Sequence, residues 1–160
     1  MELWDAYDGE FRRIEGMSLI RGEDIPAGVY HLVCEVLVRH ADGSYLLMRR
    51  DPRKHYGGLW EATAGGSALR GETPLDCARR ELREETGIRA EELQELGRVR
   101  SANTHYVEFL CVTDWPKDGV TLQAGETVAY RWVSREEFLS LRNGELVTKR
   151  VQGFLPELRG

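Results

Sequence analysis

The segment 66–88 constrains the fold of this chain more than any other stretch, because its central residues carry the signals of one amphipathic helix. Thr73 is the expected N-cap, Pro74 fits the first helical position, and Asp76 fits the reciprocal position of a capping pattern. Gly87 is expected to end the helix in the left-handed conformation. One apolar stripe is expected to face the core, comprising Leu75, Ala78 and Leu82.

Three glutamates form a second, acidic face of the same helix. Glu81, Glu84 and Glu85 stand at i, i+3 and i+4 and therefore lie close together. Like charges at this spacing cost about 0.2–0.5 kcal/mol per pair, which a helix tolerates readily when a hard cation lies among the oxygens. Arg80, four residues before Glu84, can hold one carboxylate in place. The alternative is a solvated acidic face, since glutamate is a common surface residue.

The spacing of the surrounding residues favours the metal-binding alternative. The segment matches the pattern G-x5-E-x7-R-E-U-x-E-E-x-G-U, where U is aliphatic, at every fixed position. The matching residues are Gly66, Glu72, Arg80, Glu81, Leu82, Glu84, Glu85, Gly87 and Ile88. Chance would produce such a match in roughly one chain per hundred thousand or fewer. This pattern is the Nudix box, and the sequence therefore resembles the Nudix hydrolase family.

The resemblance implies a fold and a reaction. The expected fold is an α/β/α sandwich with a mixed central sheet, in which the box forms a loop, a helix and a loop. The expected reaction is hydrolysis of the phosphoanhydride bond of a nucleoside diphosphate linked to another moiety, by attack of water on phosphorus. Oxygen ligands suit Mg2+ or Mn2+, so one of these ions is the expected cofactor. The expected substrate is a small nucleotide-type molecule.

The resemblance also implies roles for individual residues of the box. The expected metal ligands are the carbonyl oxygen of Gly66 and the carboxylates of Glu81, Glu84 and Glu85. Arg80 is expected to orient Glu84 or a neighbouring carboxylate. Glu72 is expected to support the box or to contact the metal through water. Glu84, Glu85 and Arg80 are therefore the candidate catalytic residues within the box.

A further carboxylate is expected from outside the box, because members of the family often draw a general base or an added ligand from a later loop. Glu126 precedes the predicted strand 128–133 and is the candidate for this catalytic role. The alternative for Glu126 is a surface turn. Glu108 is a weaker rival, because it is expected to face solvent from its strand.

A cluster of cations follows the predicted strand 44–50 and is the candidate phosphate-binding region. The candidate substrate-binding residues in it are Arg49, Arg50, Arg53 and Lys54, next to His55. Arginine and lysine suit phosphate recognition, and a solvated loop is the alternative. Tyr106 is a further candidate, because it lies roughly where diadenosine-polyphosphate hydrolases place a tyrosine. Its alternative is a packing role in the core.

Length and composition bound the class of protein. A chain of 160 residues predicts one domain over 1–160, with 1–28 as an N-terminal extension. No apolar run is long enough to span a membrane and no signal-peptide pattern opens the chain, so we expect a cytoplasmic protein. Three widely spaced cysteines indicate reduced, buried thiols. The net charge of −5 argues against broad nucleic-acid binding. A homodimer is a hypothesis by family analogy.

The remaining patterns predict the other elements of the fold. Strands are expected at 3–8, 11–21, 30–39, 44–50, 98–101, 104–113 and 128–133. The segment 91–97 is expected to be a charged connection. A capping box at Ser134 predicts a helix to about Leu141, ended by Asn143 and Gly144. A last helix is expected within 145–158.

Two other functions stay open. The N-terminal pattern and the run at 60–63 resemble isopentenyl-diphosphate isomerase. That enzyme needs a reactive cysteine just before its box region, where this chain has alanine and threonine at 62–64, and its box is usually degenerate. The second alternative is a non-catalytic nucleotide sensor built on a Nudix domain. Such proteins tend to lose box glutamates and often carry a DNA-binding appendage, whereas this chain keeps all of its box glutamates.

Overall fold

The computed structural model describes residues 1–142 and 144–159. Its strands are β1 (Leu3–Tyr7), β2 (Arg13–Ile20), β3 (His31–His40), β4 (Tyr45–Arg50), β5 (Trp60–Ala62), β6 (Ala64–Ser67), β7 (Gln94–Ser101), β8 (Thr104–Thr113) and β9 (Thr127–Val133). Its helices are α1 (Pro74–Thr86) and α2 (Arg135–Ser140), and two 3-10 turns follow at Val151–Phe154 and Pro156–Leu158.

Seven of the strands form one mixed sheet. Its order is β5-β4-β3-β8-β7, with β6 paired to β3 and β9 paired to β4. The central strands β3 and β8 are parallel, from His31 opposite Thr104 to His40 opposite Thr113. The other pairs of this sheet are antiparallel. The predicted mixed sheet is therefore confirmed, and β6, which opens the box, lies beside β3.

A helical layer covers each face of this sheet, because successive side chains of a strand point to opposite sides. One core joins β3 to α1 and contains Leu32, Cys34, Val36, Val38, Cys77, Ala78 and Leu82. The opposite face of β3 contributes Leu37 to a second core with Phe138 of α2 and Val151 of the first 3-10 turn. The predicted α/β/α layering is confirmed.

Helix α1 begins and ends as predicted, but its apolar stripe differs. The Thr73 hydroxyl oxygen accepts a hydrogen bond of 3.1 Å from the Asp76 backbone N–H. Gly87 ends the helix with φ of 80°, a left-handed conformation that glycine adopts without strain. The prediction for Leu75 is wrong, since it is exposed. Cys77 is buried instead, so the centre of the buried face is rotated away from Leu75, which lies at its edge.

Two other elements differ from their predictions. The predicted connection 91–97 is wrong in its second half, because β7 begins at Gln94 and pairs with β8. Its residues are mostly exposed, as an edge strand allows, and this explains their polar composition. The last helix predicted within 145–158 is replaced by two 3-10 turns, and Leu146 instead pairs beside Trp60. Asn143 lies outside the described residues.

The strands β1 and β2 form a separate two-stranded hairpin, within the segments predicted for them. Tyr7 and Tyr30 exchange two backbone hydrogen bonds of 2.9 Å, and the Trp4 ring stacks on His31 at 4.4 Å between centroids. The Asp5 carboxylate accepts a hydrogen bond of 2.8 Å from the Gly71 N–H, within the box. These contacts hold the hairpin against the box.

All three cysteines, Cys34, Cys77 and Cys111, are buried and free, as predicted. Of the helices in the described part of the chain, none combines the length and the apolar character needed to cross a membrane.

Candidate active site

A cavity of about 390 Å³, here called the catalytic cavity, opens beside the acidic face of α1. The box contributes Gly66, Arg80, Glu81, Glu84 and Glu85 to its lining. Arg50, Lys54 and Glu126 line it from outside the box. The structure therefore brings eight of the predicted site residues together around one cavity.

Arg80 organises the carboxylates of the box. Its guanidinium donates two hydrogen bonds to Glu72, of 2.7 and 2.9 Å, in a bidentate arrangement. It also donates to Glu81 at 2.9 Å, to Glu84 at 3.2 Å and to the Ser67 carbonyl oxygen at 3.1 Å. Arginine suits this task because its planar fork binds several oxygens at fixed angles. Arg80 thus contacts Glu84, as predicted from their spacing, and fixes two further carboxylates.

The acidity of these carboxylates differs with their surroundings. Burial raises the pKa of Glu81 to about 7, and the positive charge of Arg80 limits the rise. Burial, together with the nearby charges of Glu61 and Glu81, raises the pKa of Glu85 well above its usual range. Burial would also raise the pKa of Glu72, but its hydrogen bonds from Arg80 and the Leu69 N–H outweigh burial and lower it. Burial therefore dominates the acidity of Glu81 and Glu85, whereas hydrogen bonds dominate that of Glu72.

The glycines of β6 let the backbone approach these side chains closely. The Glu85 carboxylate accepts a hydrogen bond of 3.0 Å from the Gly65 N–H. A Cβ atom at position 66 would collide with the Glu81 carboxylate, so only glycine fits there without displacing it. The Gly66 carbonyl oxygen also lies 3.6 Å from the Cys77 sulfur.

The donors around the cavity fit a hard divalent cation. Carboxylate oxygens are the ligands that Mg2+ and Mn2+ prefer. Burial raises the pKa of two of these carboxylates, Glu81 and Glu85, so a bound cation would stabilise their charged forms. Among the described residues, no three acidic, histidine or cysteine side chains are already arranged as a metal-binding group. Arg80 instead holds Glu81 and Glu84 by hydrogen bonds, and Glu85 accepts one from Gly65.

The predicted phosphate-binding cations separate into two groups. Arg50 and Lys54 line the catalytic cavity, where they form ion pairs with Glu61 and Glu126 respectively. Arg49 and Arg53 are not among the residues that line it. Arg49 is exposed and donates to the Gly58 carbonyl oxygen at 3.1 Å. Arg53 extends into solvent from its ion pair of 2.6 Å with Asp51.

The two carboxylates considered as a general base lie in different places. Glu126 lines the catalytic cavity, and its side chain is 37% exposed. The expectation that Glu108 faces solvent is wrong, since it is fully buried. Glu108 and Tyr106 are two residues apart in β8 and therefore point to the same face of the sheet. Arg150, which follows the last predicted strand, lies over the Tyr106 ring on this face. The strand pattern of the sequence does not show this contact.

A second cavity of about 420 Å³ adjoins the first, and Arg50, Gly65 and Gly66 line both. We call it the side cavity. Tyr106, a predicted substrate-binding residue, lines the side cavity and is partly exposed. Glu61 also lines it, and burial raises the pKa of Glu61.

Several residues of these cavities were not predicted. Glu2 and Arg21, from the N-terminal hairpin, line the catalytic cavity and form an ion pair of 3.1 Å. The Trp4 indole N–H donates to the same Glu2 carboxylate at 2.8 Å. Tertiary packing alone brings them there, so no local pattern could indicate them. Glu61 offered a weak signal, as an acidic residue in the short run that leads into the box.

Comparisons with known proteins identify the family of this chain. The sequence model of the NUDIX domain matches residues 29–151. The Nudix hydrolase lmo0368 of Listeria monocytogenes is 34% identical over 155 residues, covering 92% of this chain and 89% of the relative. The structure of DR0079 from Deinococcus radiodurans has a TM-score of 0.70 at 19% identity and covers 87% of both chains. The MutT protein from Methanosarcina mazei has a TM-score of 0.62 at 25% identity, covering 78% of this chain and 89% of that chain. With an intact box around an acid-lined cavity and these matches over most of its length, the chain belongs to the Nudix family of pyrophosphohydrolases.

Proposed function

We propose that this protein hydrolyses the phosphoanhydride bond of a nucleoside diphosphate linked to another moiety, with Mg2+ or Mn2+ as cofactor. The observation that carries the proposal is the meeting of Glu81 and Glu85 with Arg50 and Lys54 in one cavity. Carboxylates suit a divalent cation and the basic side chains suit phosphate, so the cavity can hold both.

Glu81, Glu84 and Glu85, with the carbonyl oxygen of Gly66, would hold the ion. A bound divalent cation supplies charge that neutralises phosphate oxygens and lowers the pKa of water. Arg80 positions Glu81 and Glu84 through its hydrogen bonds, so it acts through these carboxylates rather than on the substrate.

Arg50 and Lys54, which line the same cavity, would bind the phosphates. Both are paired with carboxylates, so an incoming phosphate exchanges one anionic partner for another. Arg50 lies where the two cavities meet, which suits a contact with the phosphate nearest the organic part of the substrate.

Glu126 would act as the general base. It pairs with Lys54 at the edge of the catalytic cavity, and its partial exposure leaves it open to water. A phosphate that takes the Lys54 ammonium would free the Glu126 carboxylate to accept a proton from the attacking water.

Neither alternative function has a supporting observation. An isomerase needs a reactive cysteine at the cavity, and in the described part of the chain none of the three cysteines lines the catalytic or the side cavity. A nucleotide sensor needs no catalytic carboxylates, whereas Glu81, Glu84 and Glu85 all line the cavity.

A panel of nucleoside diphosphate derivatives, assayed for phosphate-containing products with Mg2+ and Mn2+, tests the proposal. We expect turnover of at least one compound, and a loss in kcat of about 10²-fold or more in Glu126→Gln. Glu92→Gln, at an exposed position outside both cavities, is the matched control. An unchanged rate in Glu126→Gln would move the base role elsewhere. Conversion of isopentenyl diphosphate to its isomer, or nucleotide binding without any turnover, would overturn the hydrolase assignment.

A further inference from the structure

We propose that the side cavity binds the planar base of the substrate. Arg150 stacks on this base and so favours substrates that carry a base over those that do not. The inference rests on the proposed function for the identity of the substrate. The side cavity and the catalytic cavity share Val33, Arg50, Gly65 and Gly66. One molecule can therefore extend from one cavity into the other.

The two cavities differ in chemistry. Apart from Val33 and the glycines, the catalytic cavity is lined almost entirely by charged and polar side chains. The side cavity adds apolar and aromatic surface, from Ala62, Ala64, Val147, Tyr56 and Tyr106. Phosphates suit the first environment and an organic ring suits the second, so the order of the cavities matches the order of groups in a nucleotide.

Arg150 lines the side cavity and is held there by two neighbours. Its guanidinium carbon lies 3.6 Å from the centroid of the Tyr106 ring, which is stacking distance. One of its terminal nitrogens donates to a Glu35 carboxylate oxygen at 2.7 Å. One face of the guanidinium covers Tyr106, which leaves the other face for the cavity that Arg150 lines. A planar guanidinium of this kind stacks on a nucleobase.

The guanidinium of Arg150 is held by two partners, the Tyr106 ring and the Glu35 carboxylate. Glu35 carries the opposite charge. Behind it lies Glu108, and no described residue donates a hydrogen bond to either of its carboxyl oxygens. Burial and the nearby Glu35 raise the pKa of Glu108 to about 10, so its carboxyl group keeps its proton at neutral pH. A neutral Glu108 therefore adds no negative charge beside the Glu35–Arg150 pair.

Tyr56 supplies a second aromatic surface at the same cavity. It is 57% exposed and lines the side cavity, so its ring is accessible to a molecule bound there. Its loop also carries Lys54, which lines the catalytic cavity. A base that enters the side cavity would thus meet Arg150 on one wall and Tyr56 on another.

Arg150→Lys tests the inference, because lysine keeps the charge next to Glu35 and loses the plane. The control is Arg98→Lys, since Arg98 also lies over an aromatic ring, at 4.6 Å from Phe11, and also pairs with a glutamate. A second variant, Tyr56→Ala, changes an exposed loop residue and therefore leaves the core unchanged.

Two measurements separate the base from the phosphates. The first is equilibrium binding of AMP, GMP, CMP and UMP in EDTA, which needs no turnover. The second is kcat/KM for a nucleoside diphosphate derivative and for 5-phosphoribosyl 1-diphosphate, which has no base. We expect Arg150→Lys to weaken the best nucleotide about tenfold or more, and Tyr56→Ala several-fold, with the base-free compound and the Arg98→Lys control unaffected.

The outcomes distinguish this inference from the proposed function. Wild-type nucleotide affinity in both Arg150→Lys and Tyr56→Ala would overturn the base-binding role, even if hydrolysis is observed. Equal kcat/KM for the nucleotide and the base-free compound would overturn it as well. An absence of hydrolysis for every diphosphate would contradict the proposed function, while nucleotide binding in EDTA that depends on Arg150 would still support the side cavity as a base site.

Discussion

Replacing Arg80 with methionine tests how the box is held together, because methionine keeps much of the side-chain length and removes the charge. Arg80 hydrogen-bonds three carboxylates and one backbone carbonyl oxygen. The side chains of Arg80 and Glu72 are each only 17% exposed, so solvent screens their ion pair weakly. Without Arg80, the negative charges of Glu72 and Glu81 are left partly buried and unpaired.

The expected cost follows from that burial. Removing one partner of a buried ion pair costs about 3–5 kcal/mol, and the partial exposure here favours about 3 kcal/mol. For a chain of this size, that loss lowers the melting temperature by roughly 6–12 °C. Most of this cost comes from leaving the Glu72 carboxylate buried without its charged partner, so adding Glu72→Gln to Arg80→Met should recover part of the loss.

Urea unfolding monitored by circular dichroism measures this free energy directly. The control is Arg98→Met, which breaks an ion pair with Glu95 whose partners are 46% and 41% exposed. We expect a change of about 0–1 kcal/mol for the control, as for other surface pairs. If Arg80→Met also loses less than about 1 kcal/mol, the carboxylates are not restrained by Arg80 and the reasoning is refuted.

Three further predictions concern single side chains. Glu108 has a folded-state pKa of about 10, far above its unfolded value, so its contribution to stability is lost as pH rises from about 4.5. Between pH 5 and 8, urea unfolding should therefore show Glu108→Gln becoming more stable than the wild type, by about 1–4 kcal/mol and increasingly with pH. A difference in unfolding free energy between the two proteins that stays constant over this range would contradict the prediction. Arg21→Ala should raise KM several-fold with kcat retained, because Arg21 faces the catalytic cavity from the hairpin; an unchanged KM would exclude that contact with substrate. Gly66→Ala should lower kcat about tenfold or more with a folded circular dichroism spectrum, since the new Cβ displaces the Glu81 carboxylate; full activity would show that the close approach is dispensable.

The box helix and most of the strands could be predicted because their signals are local, whereas the layers of the fold followed from the family resemblance. The caps at Thr73 and Gly87, the spacing of the glutamates and the strand patterns each depend on a few neighbouring residues. The exposure of Leu75 could not be predicted in this way, because helical spacing gives the direction of a face only approximately. The strand at Gln94 was also hidden, since an edge strand can be almost entirely polar.

Spacing predicted the box residues of the candidate site, and residue type suggested Arg50, Lys54 and Glu126 from outside the box. Tertiary packing brings Arg21 to the catalytic cavity and Arg150 to the side cavity, and neither has a sequence pattern that marks it. Arg49 and Arg53 show the opposite case, because their charges suggested phosphate binding while their side chains are directed elsewhere. Sequence spacing shows which residues are close in a helix, but it does not show which loop side chains face a cavity.

The most direct test of the metal-binding carboxylates is calorimetric titration of Mg2+ into the wild type, Glu85→Gln and the control Glu92→Gln, with hydrolysis assayed in parallel. Glutamine can still accept the hydrogen bond from Gly65, so the fold should survive and the melting temperature should not fall. We predict that Glu85→Gln weakens Mg2+ binding by more than about tenfold and abolishes Mg2+-dependent hydrolysis, while Glu92→Gln behaves as the wild type. Wild-type Mg2+ affinity and full hydrolysis in Glu85→Gln would contradict the account.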